Sequence, residues 1–236
     1  MGDSAVNAGG FDPLSLAFLL AGLTLLPLLL VCTTSYLKIS VVLMIVRNAL
    51  GVQQVPPTMA LNGMALAATL FVMAPVLNEV VSRLPMDLPG LSGPSSPAQA
   101  PTPHRSKSAS LGMAELAHAF EPMRGFMLAN TLPEKRQKFV DLARQQWGGR
   151  LAAPQDSDYV VLIPCFVVSE LELALKAGFV LYVPFVVIDL LLSNLLLALG
   201  MQMVSPMVVS LPLKILLFVL LDGWTRLFDG LVRSYA

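Results

Sequence analysis

The sequence predicts an all-α, multi-pass membrane protein, two kinked helical hairpins with a small extracytoplasmic helical segment between them, and three observations carry this. Hydrophobic residues make up 56% of the 236-residue chain and charged residues 13%, where a soluble domain carries about a quarter charged. Mean hydropathy is +0.72. Four apolar runs approach the roughly 20 residues a helix needs to cross hydrocarbon, and one polar stretch separates them two and two. Fifteen basic residues balance fifteen acidic ones, so no basic field draws nucleic acid, and partners must be held by packing.

The first region, residues 1–81, holds two of the runs. Leu14 to about Tyr36 contains Pro27 and lacks the basic flank of a secretory signal, so it is expected to be retained. The shorter stretch Ile39 to Val46 extends it. Arg47, Asn48, Gly51, Pro56 and Pro57 then have the chemistry of a helix end and turn: a cation at the negative terminus, a glycine just past it, prolines to prevent continuation. Met59 to Val81 is the second run. Pro27, Pro75 and Pro184 are expected to kink their helices. Lys38 and Arg47 favour a cytoplasmic connection between the first two runs, which puts the central segment on the opposite side.

That central segment, residues 82–158, holds nine of the fifteen basic and seven of the fifteen acidic residues. Its part from 85 to 110 is rich in proline, serine and glycine and reads as disordered. Residues 111–150 read as two short amphipathic helices. One carries Leu116, Phe120, Met123 and Met127 on a stripe. The other carries Phe139, Val140, Ala143 and Trp147, with Thr131 and Glu134 at capping-box spacing around Pro133.

The last region, 159–236, is expected to be a second hairpin with a methionine-rich bend and a C-terminal tail. Tyr159 to Gly200 is interrupted by "SELELALK", and Met201 to Leu221 follows. Cys32 and Cys165 both lie in apolar runs, where a thiol acts as a small apolar group. No disulfide framework or zinc pattern is present.

Lys38, Glu79, Glu170, Glu172, Lys176, Asp189, Lys214 and Asp222 lie in or beside the apolar runs, where an ionised group costs roughly 3 kcal/mol or more. Glu172 and Lys176 stand four apart in the favourable order for a helical ion pair. Glu170 and Lys214 are flanked by apolar residues and need partners opposite them, which each other supplies if copies of the chain pack together. Asp189 lies in mid-run, five residues before Asn194, and is the acid a proton-coupled small-solute transporter would use. An enzyme is not indicated. His104 and His118 are both in the polar segment, and neither a metal motif nor a nucleotide-binding loop occurs, so no cofactor is implied.

The stretch "TTSYLKISVVLMIVRNALGVQQVPP", Thr33 to Pro57, closely resembles a signature of the type III secretion export-apparatus R protein family, counterpart of the flagellar export protein FliP. Phe166 to Trp224 resembles that family's second signature. The resemblance implies a pore-forming subunit that conducts unfolded proteins across the bacterial inner membrane, the central segment being periplasmic. It implies a ring or spiral of about five copies, completed by small S and T membrane subunits, beside other export-gate subunits and membrane lipid. Glu170 and Lys214 match positions expected to pair between adjacent copies. Met201, Gln202 and Met203 match a loop that forms a gasket around the pore, although Gln202 departs from the commoner methionine. Unbranched thioethers suit that task, being deformable and indifferent to the passing sequence. Gly200 and Pro206 are the expected hinge, one supplying backbone freedom and the other stopping the following helix.

Overall fold

The computed structural model describes residues 13–52, 56–84, 118–149, 153–201 and 203–235. The stretch expected to be disordered, 85–110, and Leu116 lie outside them, as does Gln202. All regular structure among the described residues is helical.

The first apolar run ends sooner than its composition suggests. Helix α1 (Pro13–Thr33) stops at "TTS" and α2 (Tyr36–Leu50) leaves at 72° to it. The cause is local: the hydroxyls of Thr33 and Thr34 donate back to the carbonyls of Leu29 and Leu30, at 2.8 and 2.7 Å, an attachment that bends helices. Thus Ile39 to Val46 belongs to a second helix and does not prolong the first.

Helix α2 is the centre of the fold. Ile39, Val42, Leu43, Val46, Ala49 and Leu50 recur at helical spacing and are all buried. They pack against Leu61, Ala65 and Ala68 of α3 (Thr58–Arg83) and Ala174 and Phe185 of α6 (Tyr159–Ala198). The turn between α2 and α3 follows the expected chemistry. Gly51 takes φ 75°, its N–H returns to the carbonyl of Asn48, and Pro57 immediately precedes α3. Arg47 adds a bond from Nη1 to Thr58 Oγ1 at 3.0 Å.

In the polar segment, α4 (Glu121–Ala129) and α5 (Pro133–Trp147) are the two short helices expected. Met123 and Met127 join Met73, Leu162 and Phe166 in a second core, while Phe120 precedes α4 and stays 41% exposed. On α5 the stripe of Phe139, Val140, Ala143 and Trp147 is the covered one. The capping box does not form. Thr131 is buried and donates instead to the carbonyl of Met127 at 2.8 Å, and Pro133, which has no N–H, reduces what a cap would satisfy.

The segment "SELELALK" does not interrupt α6, which runs unbroken for 40 residues. Glutamate, leucine, alanine and lysine are strong helix formers, and the charges find partners described below. At about 1.5 Å per residue the helix is roughly 60 Å long, about twice the thickness of a hydrocarbon core. After it come α7 (Pro206–Leu220) and α8 (Gly223–Arg233), bent by 62° at Asp222, which adopts φ 49°. The expected tail is therefore an amphipathic helix that buries Leu227 and Leu231 in the first core. By length and composition α3 and α6 each suffice to cross a membrane, and the two bent pairs bring the number of candidate spans among the described residues to as many as four.

Candidate functional site, a projecting methionine bend above a buried lysine

The bend between α6 and α7 begins with a defined stop. Gly200 takes φ 74° and its N–H bonds the carbonyl of Leu197 at 3.0 Å, while the N–H of Met201 reaches back to Leu196 at 2.9 Å. These two bonds form a Schellman motif, whose left-handed residue is cheapest as glycine. Ser205 is extended, the conformation favoured before proline, and Pro206 opens α7. Gly200 and Pro206 thus hold the ends of the bend. Between them Met201 is 46% exposed and Met203 fully so. Met207, in the first turn of α7, is also half exposed and lies 3.6 Å from where a side chain on Gly51 would begin, which seats the bend over the end of α2.

Below the bend, Lys214 is 4% exposed. Its ammonium donates to Asp189 Oδ2 at 2.6 Å and to the carbonyl of Ala49 at 3.2 Å. Ala49 is in the last turn of α2, so this one cation neutralises an acid of α6 and caps the negative end of α2. Lys214 and Glu170 therefore each have a partner within the chain, and neither needs a neighbouring copy to satisfy it. Asp189, the acid that a transporter would use, is thus held in an ion pair with Lys214.

Glu170 is fully buried and accepts from the hydroxyl of Tyr235. Lys38, 4% exposed, donates to Ser234 Oγ at 2.7 Å and lies 4.2 Å from the centre of the Tyr235 ring. The same ring stacks on Phe126 of α4, centroids 5.8 Å apart. Two residues at the end of the chain therefore clasp α2, α6 and the polar segment together, a role that sequence reasoning missed. The available signal was the helical spacing of Trp224, Leu227, Phe228 and Leu231, which carries the tail onto the core. Glu172 pairs with Lys176 at 2.6 Å, as its spacing indicated, and is also held by Lys135 of α5. Among the described residues no cluster of three or more histidine, cysteine, aspartate or glutamate side chains is arranged to hold a metal ion.

Much of the remaining surface is apolar. Phe179, Val180, Leu190, Leu191, Leu195 and Leu197 of α6, and Val208, Leu216, Val219 and Leu220 of α7, are exposed, a pattern that calls for lipid or other subunits.

Comparison with known proteins gives the same direction. The FliP family profile matches residues 19–231. The chain is 47% identical over 234 residues to the harpin secretion protein HrcR of Erwinia amylovora, covering 98% of this chain and 100% of that protein. It is 45% identical over 225 residues to the Yop proteins translocation protein R of Yersinia pestis, covering 95% and 97%. With the virulence protein YscR of Salmonella typhimurium it shares 40% over 227 residues, covering 95% and 98%.

Proposed function

The chain belongs to the FliP family, and from that premise we propose that it is a pore-forming subunit of a type III export apparatus in the bacterial inner membrane, conducting unfolded proteins. Relatives named for secretion and translocation support the coarser role in export. The observation that supports the pore is the methionine bend: Met203 stands fully exposed at the tip of a loop whose two ends are firmly fixed.

In this mechanism several copies, with small membrane subunits, surround an axis and turn their bends inward. At rest the thioethers of Met201 and Met203 meet and exclude ions. A passing chain displaces them by side-chain rotation alone, because methionine has three rotatable bonds and makes no strong hydrogen bond that would select a sequence. The Schellman stop and Pro206 keep the backbone in register while the side chains yield. The ion pair of Lys214 and Asp189 fixes α7 to α6 beneath the moving groups. The subunit supplies a conduit and a seal, and the energy for transport comes from elsewhere in the apparatus.

Replacing Met201 and Met203 with glycine in the assembled complex, reconstituted in a planar bilayer, is expected to raise resting ion conductance. Unchanged conductance in a complex of native mass would overturn the gasket. Native mass spectrometry of the mild-detergent extract should show a multi-copy particle with small membrane partners, and a monomer or simple dimer would overturn the assembly.

A further inference from the structure

Toward the other end of α2 from the methionine bend lies a groove of about 510 Å3 between α2, α6 and α8. Its floor is aliphatic, formed by Val42, Leu173, Ala177 and Leu181. Lys38, Lys176 and Arg226 also line it, and no carboxylate does. In a chain of zero net charge this is a local concentration of cations around apolar surface. Lys38 is committed to the C-terminal clasp. Lys176 is available, because Glu172 retains Lys135 if Lys176 turns away. Arg226 is exposed and forms no ion pair among the described residues.

We propose that this groove binds one anionic phospholipid, its phosphate held by Arg226 and Lys176 and an acyl chain lying on Leu173, Ala177 and Leu181. A cationic mouth over an aliphatic floor matches a molecule that is anionic at one end and hydrocarbon at the other. An acidic peptide fits less well, since its backbone needs polar partners and Ser234 is the one uncharged polar side chain in the lining. A free phosphate would leave the floor unused. Arginine adds a planar donor fork suited to phosphate. The bound lipid would strap α8 to α6. This inference rests on the chain being a membrane protein and is independent of the pore.

The test is native mass spectrometry of the full chain in detergent, titrated with phosphatidylglycerol or with phosphatidylcholine of the same acyl chains. Two cations near the headgroup should make the phosphatidylglycerol adduct persist to about thirtyfold lower lipid concentration. The double variant R226Q/K176Q should lose that preference and R226K should retain it, while R144Q, on exposed α5, should leave it intact. Both glutamine changes are on exposed side chains, and a native elution volume confirms folding. Equal retention of the two lipids, or a preference that survives R226Q/K176Q, would overturn the proposal. So would displacement of the lipid by equimolar inorganic phosphate, which would mark a simple anion site. Exclusion of lipid in every species larger than a monomer would give the groove to a second copy and equally overturn it.

Discussion

The two halves of α6 have opposite relations to their surroundings. From Tyr159 to Lys176 the helix carries Glu170, Glu172 and Lys176, yet this half has one face set in the fold: Leu162, Cys165, Phe166, Ser169, Glu170 and Ala174 are all buried, while Glu172 and Lys176 stay partly or largely exposed. From Ala177 to Ala198 it is almost purely apolar, and of this half Gly178, Phe185 and Leu196 are buried while Phe179, Val180, Leu190, Leu191 and Leu195 are exposed. A soluble protein would be arranged the other way round. The charged half packs against the chain itself because its one buried ionic group, Glu170, needs a specific partner, which Tyr235 provides, while Lys135 pairs with Glu172 at the edge of the packed face. The apolar half needs only something apolar, and lipid or a neighbouring subunit serves. A helix of roughly 60 Å cannot lie within about 30 Å of hydrocarbon, so two environments along its length are required by geometry as well.

The contrast can be tested by disturbing each half in turn. The largest effect is expected from Glu170→Ala, which leaves the buried Tyr235 hydroxyl without its acceptor and empties a fully buried site; an unsatisfied buried polar group costs about 1–3 kcal/mol and the vacated volume adds to it. Thermal unfolding of the detergent-solubilised chain should show it, and a melting temperature equal to that of the parent would mean the charged half is not held by this cluster. Tyr235→Phe is milder. It keeps the ring on Phe126 but removes the donor to Glu170, leaving a buried acceptor unsatisfied at about 1–3 kcal/mol. If the clasp is real, Tyr235→Phe should have little further effect in the Glu170→Ala background, whereas an additive loss would assign the tyrosine a different role.

Gly178 marks the boundary between the halves. A Cβ there would stand 2.4 Å from Ile45 Cδ1 and 3.2 Å from Ile45 Cβ, so the glycine is what lets α2 approach α6 so closely. Gly178→Ala should cost about 1–3 kcal/mol by overpacking. Combining it with Ile45→Ala should recover part of the loss. Failure of the double variant to melt above Gly178→Ala would show that the contact is not the constraint.

The features read directly from sequence were the ones set by neighbours along the chain. Gly51 and Pro57 end one helix and start the next, Gly200 stops α6, and Glu172 meets Lys176, because each depends on residues within a few positions. Partners far along the chain were not legible. Lys214 finds Asp189 only because the bend folds α7 back onto α6, and Glu170 finds Tyr235, 65 residues away. Thr131 illustrates the converse failure. Its spacing to Glu134 fits a capping box, but its hydroxyl has a competing acceptor at Met127, and a sequence pattern does not rank two acceptors. The bend at Thr33 and Thr34 was hidden in the same way, since a hydroxyl that bends a helix and one that merely faces water are spelled alike.

The smallest effect on the isolated chain is expected in the apolar half, and its smallness is informative. Leu191 is 64% exposed, so Leu191→Ser removes little that the chain itself buries, and its melting temperature should shift by the equivalent of less than about 0.5 kcal/mol. In the assembled complex the same hydroxyl would face lipid or a neighbouring apolar face, where a polar group without a partner costs roughly 1–3 kcal/mol. Native mass spectrometry should therefore find Leu191→Ser chains folded but under-represented in the multi-copy particle when mixed with parent chains. Equal incorporation would mean that this face of α6 touches nothing that discriminates leucine from serine, and the exposed half would then have to be explained by water.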